Sequence, residues 1–166
     1  MKPEQLLSKL KQLEQGKLQQ IVEKAAKKHK NLAEETIKNQ LYAGKTGSGD
    51  YLNPKYSQDP FFKSEKSARK YAGFKKGLNI RNKSDLFPEK PFDVPDLIVS
   101  GSLFYDTINA NIANEEIRLT AGGIYQKLKA KYGSDILEYN EISEKFLYSK
   151  INPEIKKNVN KFLNGL

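Results

Sequence analysis

The sequence predicts an α+β fold, in which a long N-terminal amphipathic helix and C-terminal helices accompany a small antiparallel sheet. Three observations lead to this prediction. Apolar residues recur every three or four positions over 17–42, alternate with polar residues over 107–119, and return to the helical spacing after residue 143. Two long segments rich in glycine and proline, 43–62 and 78–95, are expected to be loops.

The N-terminal region is predicted to be helical from Pro3 onward, because proline suits the first turn of a helix. Gly16 interrupts the helical spacing, since the step from Leu13 to Leu18 is five residues. We therefore expect a kink at Gly16, with a short helix before it and a longer helix over 17–42. At ~1.5 Å per residue the longer helix would extend about 38 Å, which suits a helix that lies across a sheet or along a neighbouring subunit.

The first loop contains more aromatic residues than a plain linker has. They are Tyr51, Tyr56, Phe61 and Phe62. We expect these side chains to pin the loop onto its own domain or onto a partner. Lys45 and Thr46 precede the glycines of this loop instead of following them, so the pattern does not predict a phosphate-binding loop.

A basic helix is predicted over 64–76, SEKSARKYAGFKK, with Ser64 as its N-cap and Gly77 beyond its end. One face of this helix would hold Ala68, Tyr71, Ala72 and Lys75. Its cations are interleaved with Tyr71 and Phe74, a pattern shared by single-strand nucleic-acid binding and by a surface helix that buries one aromatic face. The residues that would contact nucleic acid are Lys66, Arg69, Lys70, Lys75 and Lys76.

The alternating region predicts a β-hairpin with one buried face. That face would carry Ile108, Ala110, Ile112, Ile117 and Leu119. A short helix over 123–131 follows and is closed by Gly133. Beyond it we predict a helix over 143–149 and a last helix that starts at Asn152-Pro153.

The composition limits the classes of function. The chain has no cysteine, which excludes disulfide frameworks, cysteine zinc sites and thiol catalysis. No apolar run approaches the ~18 residues of a membrane-spanning helix, and the N-terminus lacks the apolar core of a secretory signal. Hydrophobic residues make up 37% of the chain, so we expect a modest core and burial completed against other copies or a partner.

The net charge of +9 is unevenly distributed. Segment 43–95 carries eleven Lys and Arg against six acidic residues, whereas 96–142 carries four against seven. Such polarity favours head-to-tail docking of copies or contact with nucleic acid, although solvated lysines on helix surfaces give the same pattern. Lysine supplies 26 of the 29 cations, which disfavours sequence-specific reading of DNA bases.

The sequence offers few candidates for chemistry. The single histidine, His29, lies among lysines of the long helix and is expected at the surface. The loosely clustered carboxylates are Asp135, Glu138, Glu141 and the pair Glu115 and Glu116. Either carboxylate set could hold a divalent cation or act as an acid–base pair, but no spacing fixes their geometry. We therefore predict no enzymatic activity, no metal and no cofactor.

One stretch of the chain resembles a known family. Ser100-Gly101-Ser102-Leu103, followed by Thr107-Ile108, forms a turn that feeds the hairpin, and a tyrosine-containing helix then ends at Gly133. Together with the long N-terminal amphipathic helix, this arrangement resembles the tail-completion (neck) proteins of tailed bacteriophages. The resemblance covers roughly 17–42 and 96–133.

The resemblance implies a small twisted sheet packed on the long helix, and copies that form a ring at the head–tail junction or the top of the tail. It implies a structural virion protein assembled in the host cytoplasm, with no membrane partner. Its partners would be copies of itself, portal-proximal or tail-tube proteins, and packaged DNA. The expected assembly residues are Tyr51, Tyr56, Phe61, Phe62, Leu103, Phe104 and Tyr105.

The predicted organisation is an N-terminal extension over 1–16, an α+β core over 17–142 with an insertion over 43–95, and a C-terminal helical extension over 143–166. The alternative function is that of a basic nucleic-acid-binding accessory protein. It would use residues 63–83, and its binding would weaken steeply with salt.

Overall fold

A computed structural model describes residues 3–77, 86–97, 108–114 and 116–164 of the chain. The fold is a mixture of helices and a two-stranded antiparallel sheet, as predicted. The described helices are α1 (Pro3–Gln12), α2 (Leu18–Lys28), α3 (Lys30–Tyr42), α4 (Glu65–Gly77), α5 (Tyr125–Tyr132) and α6 (Glu141–Asn164). The described strands are β1 (Asn109–Ala113) and β2 (Glu116–Thr120).

The predicted kink at Gly16 is confirmed. Gly16 has a φ of +103°, a value that favours glycine, and it lies in the irregular turn Leu13–Lys17 between α1 and α2. The prediction of one unbroken helix over 17–42 is wrong at His29, where a turn separates α2 from α3. Ala25 of α2 and Ala33 of α3 nevertheless belong to one core cluster.

Two hydrophobic clusters form the core beside the sheet. The first contains Ile37, Leu41, Leu52, Ile108, Ile136 and Leu137. The second contains Ala25, Ala33, Ala110, Leu147 and Ile151. Since β1 packs against α2 and α3, the long helical region lies on the sheet.

The hairpin has the predicted faces. Ile108, Ala110 and Ile112 are buried, and β1 pairs with β2 from Asn109 opposite Thr120 to Ala113 opposite Glu116. The backbone nitrogen of Ala110 faces away from β2 and donates to Glu34 Oε1 of α3 at 2.9 Å.

The outer edge of β2 is the side that faces away from β1. In this register Ile117 and Leu119 direct their backbone groups away from β1. Among the described residues no other strand pairs with that edge.

The C-terminal helix does not divide at Pro153. The predicted break there is wrong, because α6 runs continuously from Glu141 to Asn164. A proline inside a helix costs about 3 kcal/mol. Leu147 and Ile151 before the proline are buried in the core, and Ile155 after it packs against the same cluster. Because residues on both sides of Pro153 pack on the same cluster, the helix continues through the proline despite its local tendency to break a helix.

A buried amide joins α3 to the start of α6. Gln40 accepts hydrogen bonds from the Asn140 nitrogen at 2.9 Å and from Ser143 Oγ at 2.7 Å. Its Nε2 donates to the carbonyl oxygen of Glu138 at 2.8 Å. Asn140 in turn caps α6, since its Oδ1 accepts from the Ser143 nitrogen at 3.0 Å. All the buried side-chain polar atoms of the described residues have partners.

The insertion between α3 and β1 has a small core of its own. Tyr56, in a single turn of 3₁₀ helix, packs on Ala68 and Ala72 of α4. The predicted N-cap is confirmed, because Ser64 Oγ accepts from the backbone nitrogen of Ser67 at 3.2 Å. Three of the four residues predicted to share one face of this helix, Ala68, Ala72 and Lys75, are buried. Downstream, α5 ends at Gly133, with a φ of +105°, as predicted.

Candidate assembly surface

The loop after α3 is held against its own chain at its first aromatic residue. Lys45 and Tyr51 form an isolated antiparallel bridge, and Lys45 Nζ lies 3.4 Å from the centroid of the Tyr51 ring. Gly44, with a φ of +66°, permits the turn, since a Cβ there would lie 2.4 Å from Val94 Cγ1. Tyr51 is half-buried and therefore offers a partner only part of its ring.

Tyr56 is buried beneath α4, which corrects its placement among the interface residues. Its ring packs on Ala68 and Ala72, and the ring of Tyr71 stands edge-on at 5.3 Å. Burial, reinforced by the negative charge of Asp96, raises the pKa of Tyr56. Tyr56 therefore pins the loop onto its own domain.

Phe61 and Phe62 belong to a row of rings that reaches the surface, the aromatic patch, which consists of Phe61, Phe62, Tyr71 and Phe74. Successive ring centroids along this row lie 5.2, 5.2 and 6.4 Å apart. Phe62 is half-buried against Tyr56 and Tyr71. Phe61 and Phe74, at the two ends, are 79% and 59% exposed. The inner rings thus support two open aromatic side chains.

The turn that carries Phe61 is fixed by the buried carboxylate of Asp59. Its Oδ1 accepts from the Phe61 nitrogen at 3.1 Å, and its Oδ2 pairs with Lys131 of α5. Burial, the largest single influence, lowers the pKa of the Lys131 ammonium. The hydrogen bonds to Asp59 and Tyr132 and the charges of these two residues together outweigh burial, so the pKa is raised. The ammonium stays charged and ties the turn to α5. Sequence reasoning missed this contact, which joins residues 72 positions apart.

The cations of α4 lie on two sides of the helix. Lys66, Arg69, Lys70 and Lys76 are exposed. Lys75 is buried, with its Nζ 2.7 Å from the Asp96 carboxylate. The prediction that Lys75 contacts nucleic acid is therefore wrong, because this position shares the inner face with Ala72.

The turn residues predicted for assembly are not part of the surface that the structure describes. Leu103, Phe104 and Tyr105 lie outside the described residues. So does most of the turn motif, of which Ile108 alone is described and buried. The role of the turn in assembly stays a prediction.

A second apolar surface, the leucine face, lies on α1 and consists of Leu6, Leu7 and Leu10. These three side chains are exposed, and α1 has no buried residue. Leu18, which follows the kink at the start of α2, is exposed as well. One tether between α1 and its own chain is Lys9, whose Nζ donates to the Leu163 carbonyl oxygen of α6 at 2.9 Å. The leucine spacing is visible in the sequence, but the same spacing is typical of a helix that faces a core.

The candidates for metal or acid–base chemistry are engaged separately. Asp135 Oδ2 accepts from the Ser48 nitrogen at 3.2 Å. Glu141 pairs with Lys145, and this hydrogen bond lowers the pKa of Glu141. Within the described ranges, no three His, Cys, Asp or Glu side chains are grouped so that they could hold a metal ion. His29 is half-buried at the turn between α2 and α3, and Glu115 lies outside the described residues.

Comparisons with protein-family models, with curated proteins and with solved structures found no match to this chain. In the part of the chain that the structure describes, no helix has both the length and the apolar character needed to cross a membrane.

Proposed function

We propose that this chain is a structural subunit of the neck or tail-completion type, which assembles into a ring at the head–tail junction or the top of a bacteriophage tail. The observation that carries the proposal is the aromatic patch, where the open ring of Phe61 rests on Phe62, which in turn packs on Tyr71. Aromatic side chains held by a rigid base are common anchors of protein interfaces. The resemblance of 17–42 and 96–133 to neck proteins supports the same function.

A ring needs two different contact surfaces on each copy, because its interfaces are head-to-tail. The aromatic patch and the leucine face meet this need, since they lie on different elements. In the described part of the chain, Phe61 and Phe74 of the patch and the leucines of the leucine face stay exposed. We assign the Phe61 end of the patch of one copy to the contact with the leucine face of the next, which leaves the Phe74 end outside that contact.

The remaining partners follow from the resemblance. The ring would bind portal-proximal or tail-tube proteins within the virion, and its lysine-rich surfaces would face packaged DNA. The proposal assigns the chain no catalysed reaction, because a ring subunit acts through its shape and its contacts.

The test is the mass of the purified chain in solution, measured by light scattering at low and high salt. We expect a closed oligomer of defined copy number that persists at high salt, because apolar contacts are not screened by ions. Phe61→Ala should reduce the mass to that of smaller species while leaving the circular dichroism spectrum unchanged, since the Phe61 ring is largely exposed.

Tyr148→Ala is the matched control, because Tyr148 is also an exposed aromatic residue but lies on α6. It should keep the oligomer intact. A wild-type chain that remains monomeric at high concentration, or a Phe61→Ala variant that forms the wild-type oligomer, would contradict the proposed assembly.

A further inference from the structure

We propose that the exposed side of α4 binds single-stranded nucleic acid without sequence preference. In this proposal lysines contact the phosphates, and a base stacks on Phe74. The proposal does not depend on ring assembly, because it uses the end of the aromatic patch opposite Phe61.

The binding surface is a row on α4, the ridge, which consists of Lys66, Lys70 and Phe74. These residues follow one another at intervals of four, so their side chains are neighbours along one side of the helix. All three are exposed. The ridge thus places two ammonium groups and an aromatic ring along a single line.

The charge around the ridge is positive. Arg69 and Lys76 are exposed on the adjoining side of α4. Glu65, the acidic residue of this helix, is already paired with Arg69 at 2.6 Å. The Lys75–Asp96 pair lies on the buried side and adds no net charge to the surface. A polyanion would therefore meet attraction along the whole exposed side of α4.

Phe74 distinguishes this surface from a general polyanion site. Its ring is supported by Tyr71, at 6.4 Å between centroids, and is 59% exposed. A base in a single strand can stack on such a ring, whereas the bases of a duplex are already stacked on one another. Stacking accepts every base because each has an aromatic face.

Lysine determines the kind of recognition. An ammonium group acts as a point charge toward a phosphate, whereas reading a base edge usually relies on the fork of arginine. Arg69 is paired with Glu65, and both cations of the ridge itself are lysines. We therefore expect affinity to depend on salt and on strand form, and not on sequence.

The experiment measures binding of a fluorescent oligothymidine of about 16 nucleotides, the upper end of typical site sizes, by anisotropy. It is repeated between about 50 and 200 mM salt, because each phosphate contact on a single strand changes the slope of log K against log salt by about 0.7. The double variant Lys66→Ala/Lys70→Ala should reduce the slope by about 1.4. Phe74→Ala should weaken binding by about 5- to 150-fold and leave the slope unchanged.

Lys156→Ala/Lys157→Ala is the matched control, because it removes two exposed lysines from α6 and so lowers the net charge equally. It should bind as the wild type does. Circular dichroism checks that each variant retains its helices.

Three results with the oligothymidine would overturn the proposal. They are absence of wild-type binding at the lowest salt, equal loss in the α4 and α6 double variants, and wild-type affinity for oligothymidine in Phe74→Ala. Tighter binding to a duplex of the same length would also overturn it, because stacking on Phe74 would then play no part. Loss of the oligomer in Phe61→Ala tests ring assembly separately, so the two proposals can fail independently.

Discussion

Replacing Gln40 by leucine removes one amide from the buried contact between α3 and the start of α6. Gln40 has no exposed surface, and its Oε1 is the acceptor for the Asn140 nitrogen and for Ser143 Oγ. Leucine is close to glutamine in volume, so the substitution leaves little cavity. Its main effect is to leave these two buried donors without their acceptor.

The expected loss of stability follows from these two donors. A buried polar group that loses its partner costs about 1–3 kcal/mol. The carbonyl oxygen of Glu138, which also loses its donor, belongs to an exposed residue and can turn to water instead. Two donors therefore correspond to roughly 2–6 kcal/mol, out of a total stability of about 5–15 kcal/mol.

The assay is urea unfolding at 25 °C, followed by circular dichroism of the helices. With a slope of about 2 kcal/mol per molar urea, the midpoint should fall by about 1–3 M while the slope stays constant. Glu35→Ala is the control, because Glu35 is exposed on the same helix and forms only a surface pair with Lys38. It should change the stability by less than about 0.5 kcal/mol.

Gln40→Glu tests the same contact through pH. At neutral pH the buried carboxylate would face the Glu138 carbonyl oxygen, so the variant should be destabilised. Protonation restores a donor, and burial raises the pKa of such a carboxyl. Stability relative to wild type should therefore recover as the pH falls. A Gln40→Leu loss below about 1 kcal/mol, or a Gln40→Glu loss that does not vary with pH, would refute the reasoning.

Three further predictions concern other parts of the fold. Gly73→Ala should stabilise the protein by about 0.5–1 kcal/mol in urea unfolding, because a Cβ at this helical position meets nothing within 4 Å. A lower free energy of unfolding in the variant would contradict this, since it would mean that the added methyl group meets a neighbour. Lys75→Ala should lower the free energy of unfolding by about 3 kcal/mol, because it leaves the Asp96 carboxylate inside without its closest cation; a thermal midpoint equal to wild type would contradict this. Burial raises the pKa of Tyr139, so above pH 10 the unfolded chain loses this proton first and native stability falls by about 1.4 kcal/mol per pH unit. Tyr139→Phe should be less stable than wild type at pH 7 by about 1 kcal/mol, because it lacks the hydrogen bond to the Ala33 carbonyl oxygen. Above pH 10, unfolding curves of the two proteins should show that the variant loses less stability per pH unit than the wild type does.

The sequence predicted those features that local chemistry determines. Gly16 interrupts a helical period, Ser64 has an oxygen at the right place for an N-cap, and the hairpin alternates between apolar and polar side chains. Each of these signals lies within a few residues of the structure that it specifies. For this reason the kink, the cap and the buried face of β1 were predicted correctly.

Features that depend on distant residues were not predictable in this way. Pro153 is a local signal for a break, but the core contacts on both sides of it keep α6 continuous. Gln40 is a polar residue within an apolar stripe, and its partners lie about a hundred positions later in the chain. Lys75 is a lysine like its exposed neighbours on α4, and its ion pair with Asp96 is what sets it apart from them.

The candidate surface shows the same limit. Phe61 and Phe62 are adjacent and chemically identical, yet one is largely exposed and the other is half-buried. The difference arises from Asp59, which holds the turn through Lys131 of α5. Sequence composition identified the loop as unusually aromatic, but only the three-dimensional contacts show which ring is available to a partner.

The outer edge of β2, with which no strand of the described residues pairs, has a consequence for how the chain behaves when crowded. An unpaired strand edge is a template for aggregation, because another chain can add a strand to it. Glu116 and Arg118 stand exposed on this edge and pair with each other at 2.7 Å. Charged side chains on an edge strand oppose the growth of sheets between molecules. Copies concentrated at one site would therefore stay separate along this edge and resist aggregation into a continuous sheet.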